Sequence, residues 1–310
     1  MRRRLVILGS LAIVFALARA TGFRTIAGVW RTVDPRSVAV VVTCWYGSLA
    51  IRIVSWRMLL GDGAPPARTL ASPLALGFVL SYVAPAKTGE PMPALLASRA
   101  SGLPLATTLS VLTAERAAHF LLLLATFVPA AAFTAGAALP LARAARAASL
   151  VLAALAAAAP FAPPLLRRAG RLAARFRRGG PAVAAYLDAL ADLLRSPRRV
   201  AALIALSAAF WALQYLSLWS ILRGGGAHVN PLEAATVAGC AILGGTLSLL
   251  PLGTQDGISA LALRAFGVPL ARGFSLALFH TTLSLLCGAL LALAISAAGA
   301  TRRPPRSPGS

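Results

Sequence analysis

The sequence predicts an all-α, polytopic membrane bundle, and three observations lead to that prediction. The residues are 58% hydrophobic and only 12% charged, whereas a soluble domain has roughly 25% charged residues. Apolar runs of about 20 residues, the length that a bilayer demands, recur along the whole chain. Two further apolar runs are interrupted in corresponding places, which is typical of membrane folds built from repeats. We therefore expect a single membrane domain over 1–301 and a disordered tail at 302–310.

Six segments are long and apolar enough to cross the bilayer. They are 5–23, 37–60, 104–135, 145–166, 199–222 and 269–298. The first one resembles either a signal peptide or an uncleaved helix, because three arginines precede it and the sequence Ala18-Arg19-Ala20 follows its apolar run. We expect an uncleaved helix.

Segments 70–98 and 232–266 contain breaks that disfavour a simple crossing. The first break holds residues 87–90 (KTGE), and the second holds residues 254–257 (TQDG). Proline and glycine around these positions interrupt helices, and polar residues at such a depth need a buried or wet setting. We predict that each segment enters and leaves the membrane on the same side. The alternative is eight simple crossings.

An internal repeat relates the two interrupted segments. Residues 99–106 (RASGLPLA) match residues 264–271 (RAFGVPLA) at six of eight positions, with an offset of 165 residues. Each copy follows a broken segment and precedes a long apolar helix. The repeat therefore predicts two related halves, at about 37–135 and 199–298.

The arginines determine the predicted orientation. Twenty-nine of the thirty basic residues are arginine, and nine of these arginines lie in the connector 167–199. The positive-inside rule places this connector in the cytoplasm, together with residues 2–4. The connector and residues 2–4 are both cytoplasmic if the two interrupted segments form hairpins that do not cross the membrane. Three crossings then separate the two hairpins. We expect six crossings plus two re-entrant hairpins in an inverted repeat, in the inner (cytoplasmic) membrane with a cytoplasmic N-terminus.

The net charge of +22 has the same explanation. Arginines between apolar runs face anionic lipid headgroups, so we expect no nucleic-acid partner. Within the connector, residues 165–178 alternate apolar residues with arginine at helical spacing. This pattern is typical of a basic amphipathic helix on the inner leaflet, and a solvated loop is the alternative.

Ionisable residues inside an apolar helix are the first candidates for a functional site. Glu115, Arg116 and His119 lie near the centre of 104–135, where each costs at least about 2.5–3.5 kcal/mol. Glu115 and His119 share a helix face, and the offset of 165 residues relates Glu115 to His280. The alternatives are an ion pair that only joins helices and histidines that only pack.

The tips of the two hairpins are the second candidate site. Helices that meet at a break direct backbone N–H groups at an anion. The first tip supplies Lys87, Gly89 and Glu90, and the second supplies Gln255 and Asp256. An interfacial loop with ordinary polar residues is the alternative.

Other signals are weaker. Arg52 and Arg57 lie towards the C-terminal end of the predicted helix 37–60, and we expect their side chains to extend to the cytoplasmic headgroups. Trp211, Gln214 and Tyr215 either line a cavity or, as we expect, pack between helices. The sequence contains no nucleotide-binding, metal-binding or hydrolase motif, so no cofactor is expected.

Three stretches resemble a known family. They are residues 51–60 (IRIVSWRMLL), residues 84–90 (APAKTGE) with Glu115-Arg116, and residues 253–257 (GTQDG) through 267–270 (GVPL) and His280. They are similar to signatures of the flippase-like lysylphosphatidylglycerol synthase transmembrane-region family. The resemblance implies lipid translocation, or a role beside a lipid-modifying enzyme. It does not imply synthase activity, because the family's aminoacyl-transferring domain is soluble and this chain has no room for it.

We expect a translocator (flippase) of a phospholipid or lipid-linked substrate, passive or proton-coupled, rather than an enzyme. Lys87 and Arg116 would hold a phosphate-bearing headgroup, and Glu90, Glu115 and Asp256 would bind a cationic group or protons. Neutralising Glu115 would then stop translocation and leave the fold intact. The expected partners are membrane lipids, anionic or lipid-linked, and either a second copy of the chain or a lipid-modifying enzyme.

Two alternatives stay open. One is a membrane-embedded enzyme that modifies a lipid headgroup, with Glu115 as general base and His119 as its orienting partner. The other is a non-catalytic scaffold of a lipid or envelope pathway, which would act through the connector 167–199.

Overall fold

The computed structural model describes residues 23–83, 88–134, 161–176, 179–247 and 251–300, with isolated positions 147, 149–151 and 154. All regular structure in this part of the chain is helical, so the predicted all-α class is confirmed. The helices are α1 (Phe23–Thr32), α2 (Pro35–Leu60), α3 (Ala67–Val83), α4 (Met92–Ser101), α5 (Leu105–Thr134), α6 (Ala162–Ala173), α7 (Gly180–Leu194), α8 (Pro197–Gly224), α9 (Pro231–Leu247), α10 (Pro251–Ala265) and α11 (Leu270–Ala300). A 3-10 turn at Gly61–Gly63 follows α2.

Four helices are long and apolar enough to cross a membrane, namely α2, α5, α8 and α11. The shortest has 26 residues and the longest 31, which at about 1.5 Å per residue exceeds the ~30 Å hydrocarbon core. They correspond to the predicted spans 37–60, 104–135, 199–222 and 269–298, and they confirm a polytopic helical membrane protein. Residues 5–22 of the first predicted span, half of the residues of 145–166 and the tail 302–310 lie outside the described residues. The count of six crossings therefore stays a prediction.

The two interrupted segments form helical hairpins. α3 packs on α4, and α9 packs on α10. α4 has 10 residues and α10 has 15, or about 15 and 22 Å, so neither reaches across a ~30 Å core. These lengths agree with the predicted re-entrant hairpins. The first hairpin depends on Gly77, where an added Cβ would lie 2.4 Å from Pro93 Cγ.

The two halves repeat the same succession of helices. A long helix, a helix of 17 residues, a short helix and a second long helix occur in both. The turns after α4 and α10 contain Gly102 and Gly267, which adopt φ values of 73° and 80°. Glycine tolerates this left-handed conformation, which explains why the repeat retains it at both positions.

The halves also pack against each other reciprocally. α3 packs on α11, and its counterpart α9 packs on α5. α2 and α8 run antiparallel, because the Asp34 N–H donates to the Gly224 carbonyl at 3.1 Å and Ser48 Oγ donates to Gln214 Oε1 at 3.3 Å. A two-fold axis that exchanges antiparallel helices is perpendicular to both of them. That is the geometry of the predicted inverted repeat, with its axis in the membrane plane.

The connector between the halves is helical, as the amphipathic pattern of residues 165–178 predicted, and the solvated loop given as the alternative is not observed in its described residues. α6 and α7 pack on each other, and α7 packs on α5. Arg167 of α6 forms an ion pair with Asp192 of α7. The Tyr186 hydroxyl of α7 lies 3.0 Å from Thr113 Oγ1 of α5. The predicted connector residues 177–178 lie outside the described part of the chain.

Candidate functional site

A buried ion pair joins α2 to α5 near the middle of the bundle. Arg52 Nε donates to Glu115 Oε1 at 2.8 Å, and Arg52 Nη2 donates to Oε2 at 2.9 Å. Trp56 Nε1 donates to Oε2 at 3.1 Å. Glu115 is 0% exposed and Arg52 is 7% exposed. The carboxylate is thus held by three hydrogen bonds, two of them in the bidentate geometry that arginine and a carboxylate prefer.

The expectation that Arg52 extends to the headgroups was therefore wrong. Arg52 precedes Leu60, the last residue of α2, by eight residues or about 12 Å of helix. A charge left unpaired at that depth would be costly, and pairing with the equally buried Glu115 removes most of the cost. Neither Arg116 nor His119 hydrogen-bonds to Glu115, although the sequence placed His119 on the same helix face as Glu115.

The second half contains an uncharged counterpart of this pair. Ser217 Oγ of α8 lies 2.9 Å from His280 Nε2 of α11. These residues follow Arg52 and Glu115 by the same offset of 165 positions. The predicted relationship between Glu115 and His280 thus extends to their partners. Each pair joins the first long helix of a half to its last.

A cavity of about 510 Å³ lies beside the ion pair, between the two halves. Its walls come from α2, α3, α5, α8 and α9, and both hairpins reach it. Glu90 from the first tip and Gln255 from the second line it, and these two residues are also 165 positions apart. The volume is within the range of small-molecule sites, roughly 300–1,000 Å³.

Two charged groups in the cavity have no ion pair in the described part of the chain. Arg116 and Glu90 both line the cavity and are exposed, and the ion pairs among the described residues involve neither of them. Arg52 also lines the cavity, but Glu115 neutralises it. Arg116 and Glu90 are therefore the available cation and the available anion of the cavity, and they also attract each other electrostatically.

Aromatic side chains form much of the remaining surface. They are Trp45, Phe78, Tyr82, Phe120, Phe210 and Trp211. His119 stacks on Phe210 with ring centroids 4.3 Å apart, and its carbonyl oxygen accepts a hydrogen bond from Trp211 Nε1 at 2.9 Å. His119 is thus held against α8 while it lines the cavity. The site combines apolar ring faces with a few polar groups, as binding sites for small molecules commonly do.

Four predicted site residues do not line the cavity. Besides Glu115 and His280, these are Gly89 and Asp256. Gly89 is buried, with Leu80 O 2.1 Å from the place of an added Cβ. Asp256 is 2% exposed and accepts hydrogen bonds from the Gly253 N–H at 3.1 Å and from Thr281 Oγ1 at 2.7 Å. Both oxygens of its carboxylate are therefore hydrogen-bonded within the protein. Lys87 lies outside the described residues.

Arg52, Trp45 and Ser48 also line the cavity, although the sequence did not predict them there. An arginine two turns inside an apolar helix needs a partner, and that signal was available for Arg52. Trp211 and Gln214 line the cavity as well as packing between helices, whereas Tyr215 bonds to Thr126 outside its walls. In the described ranges, no three His, Cys, Asp or Glu side chains are grouped so that they could hold a metal ion.

Comparison with known proteins gives one result that covers almost the whole chain. Residues 4–292 match the family described as lysylphosphatidylglycerol synthase TM region. The match includes the first half of the repeat, the connector and the second half up to residue 292. No curated protein matches the chain.

Proposed function

This chain belongs to the lysylphosphatidylglycerol synthase TM region family, and we propose that it translocates (flips) a phospholipid or lipid-linked substrate across the cytoplasmic membrane. The observation that carries the proposal is the cavity of about 510 Å³ between two oppositely oriented halves. Arg116 and Glu90 face it without ion-pair partners among the described residues. Ionisable side chains at membrane depth are expensive, and those that face a cavity commonly mark a substrate pathway.

Arg116 is the proposed ligand of the lipid phosphate. A guanidinium group is planar and binds phosphate oxygens in a bidentate manner. Arg52 is less suited to this role because Glu115 already occupies two of its donors. Lys87, which belongs to the first tip, is proposed to add a second positive charge.

Glu90 is the proposed ligand of a cationic group or a proton. It lines the cavity from the first hairpin, and the neutral Gln255 lines it from the second. The aromatic faces around it attract ammonium groups by their quadrupoles. A headgroup that carries a phosphate and an ammonium group would therefore find both partners on one side of the cavity.

The acyl chains of the lipid substrate do not have to enter this cavity. Its volume suits a headgroup, and the hydrocarbon chains stay in the surrounding bilayer, which is itself apolar. Movement of the two halves about the fixed site would expose the headgroup to each face in turn, as in other inverted-repeat transporters. The sequence has no nucleotide-binding motif, so we propose passive or proton-coupled movement.

The position of Glu115 argues against headgroup-modifying chemistry. A general base must reach the proton that it removes. The Glu115 carboxylate is fully buried, bonded to Arg52 and Trp56, and does not line the cavity. The general base that the enzyme alternative requires is thus bonded to Arg52 and Trp56 outside the cavity, and we favour translocation.

Arg116→Gln tests the proposal in proteoliposomes. Fluorescent lipids with different headgroups are incorporated, and their accessibility to an external quencher is measured over time. We expect translocation to slow about ten-fold or more, because a charge-assisted hydrogen bond contributes ~1.5–3 kcal/mol. Arg99→Gln is the matched control, since Arg99 is exposed at the end of α4 and does not line the cavity.

Two results would contradict the proposal. One is an Arg116→Gln protein that is folded and moves every lipid as fast as the unsubstituted protein. The other is an unsubstituted protein that moves none of the lipids. A proton gradient imposed in one set of vesicles separates passive from proton-coupled movement, because a passive protein equilibrates the lipid equally with or without the gradient.

A further inference from the structure

The helix α6 has a row of exposed apolar side chains along one side. Leu165 and Leu172 are each 57% exposed, and seven residues of helix, about two turns, place them on the same side. Phe161, 63% exposed, precedes them, and Phe176, 69% exposed, follows. A surface in water rarely leaves a contiguous apolar row of this kind uncovered. We call these four residues the apolar row.

Arginines accompany the apolar row. Arg168, Arg171 and Arg175 are exposed, and α6 contains no acidic residue. A helix with an apolar side and a line of arginines beside it has the character of a helix that lies in the plane of a membrane surface. The charge that complements it is that of an anionic lipid phosphate.

The opposite side of α6 is fixed to the rest of the protein. Gly170 is buried against α7, near Ala184 and Asp188, and Arg167 pairs with Asp192 of α7. α7 in turn packs on α5. The apolar row is therefore held on the side of α6 that faces away from the helices of the described part of the chain, and it does not depend on local unfolding to become available.

We propose that α6 lies on the anionic headgroup surface of the membrane leaflet next to the connector. The apolar row would enter the boundary between headgroups and acyl chains, while the arginines contact lipid phosphates. Attraction of this type falls off within a Debye length, so the arginines must be close to the membrane plane. The apolar row and the arginines lie outside the cavity lining.

Two alanines of α6 and its C-terminal end provide a matched pair of probe positions. Ala169 lies beside the apolar row, and Ala174 lies on the opposite side of the helix; both are exposed. Ala169→Cys and Ala174→Cys are made in the full chain and labelled with an environment-sensitive fluorophore. The proteins are placed in nanodiscs of phosphatidylcholine alone or with added phosphatidylglycerol. The unsubstituted protein measures background labelling of its native cysteines.

We expect the probe at position 169 to shift its emission to the blue and to be quenched by lipids brominated in the acyl chains. Both effects should increase with phosphatidylglycerol, and the probe at position 174 should show neither. The triple substitution R168Q/R171Q/R175Q should remove the dependence on phosphatidylglycerol. Equal emission at both positions, indifferent to the lipid, would overturn the proposal.

A second measurement does not require labelling. Hydrogen exchange of the backbone amides in 162–176 is followed in the unsubstituted protein in the two kinds of nanodisc. A helix that binds the anionic surface exchanges more slowly when phosphatidylglycerol is present. Exchange that is unchanged by the anionic lipid would also overturn the proposal.

Discussion

Ser217 hydrogen-bonds to His280 at 2.9 Å, in the place where the other half of the repeat pairs Arg52 with Glu115. The repeat has thus retained the contact between the first and last helix of each half and has changed its chemistry. One half is joined by a bidentate ion pair, and the other by a neutral hydrogen bond.

The same asymmetry extends to the cavity. Its charged lining residues in the described part of the chain, Arg52, Glu90 and Arg116, all belong to the first half. The second half contributes uncharged polar groups such as Gln214 and Gln255. An inverted repeat of identical halves would place equal charges on both sides of a substrate. This chain instead concentrates the ionic contacts on one side, which would give a bound headgroup a preferred orientation.

Glu115→Gln is expected to lower the free energy of unfolding by about 3–5 kcal/mol, because it leaves a buried Arg52 without its counter-charge. This expectation replaces the one drawn from the sequence, that neutralising Glu115 leaves the fold intact. Thermal unfolding in detergent is the measurement. Glu90→Gln serves as the control, since Glu90 is exposed and makes no ion pair among the described residues.

A double-mutant cycle separates the pair from its surroundings. Arg52→Gln/Glu115→Gln removes both charges. The double variant should therefore lose less stability than the sum of the losses in the two single variants. Strictly additive losses, with no coupling between the two positions, would show that the bidentate pair does not stabilise the folded protein.

Much of the fold could be predicted from the sequence, because hydrophobic length and helix-breaking residues are local signals. The spans at 37–60 and 269–298 and the hairpin breaks required no knowledge of neighbours. The partner of Glu115 could not be predicted in the same way. Helical spacing suggested His119, but the actual partner is Arg52, 63 residues away on another helix. Pairing between helices depends on how they rotate and pack, which a single sequence does not specify.

The candidate site was predicted in part for the same reason. Glu90, Arg116, His119 and Gln255 line one cavity, as the combination of hairpin tips and helix centre suggested. Asp256 is close in sequence to Gln255 but is turned into the protein, where Thr281 and the Gly253 N–H bind it. Adjacent residues on a helix point about 100° apart, and polarity alone does not tell which of them faces the cavity.

Gly77→Ala should destabilise the first hairpin. Its new methyl group would meet Pro93, with atoms 2.4–2.9 Å away that include backbone, and overpacking of this kind costs about 1–3 kcal/mol. Gly28→Ala is the control in another helix, because nothing lies within 4 Å of its added Cβ. Thermal unfolding of both variants tests the prediction. Equal stability of the two proteins would mean that α3 and α4 do not pack as closely as described.

Glu90→Gln should change which lipids are moved rather than whether lipid is moved. Glu90 is the available anion of the cavity, so its loss should slow lipids with an ammonium-bearing headgroup and spare lipids whose headgroup carries only a phosphate. Arg116→Gln should slow both classes. Asp62→Asn is a control, because Asp62 is exposed in the turn after α2 and outside the cavity. Equal slowing of both lipid classes by Glu90→Gln would exclude Glu90 as the ligand of the ammonium group.

Ser217→Ala removes the neutral contact of the second half and should cost about 1 kcal/mol, because His280 loses its hydrogen-bond partner. The same helix supplies a matched control. Ser207 is 1% exposed, and its hydroxyl has no hydrogen-bond partner in the described part of the chain. Ser207→Ala should therefore leave the stability unchanged or raise it, since it removes a buried polar group without breaking a bond. Unfolding measured in the same detergent compares the two variants directly. A larger loss for Ser207→Ala than for Ser217→Ala would show that the Ser217–His280 bond does not stabilise the second half in the way that the ion pair stabilises the first.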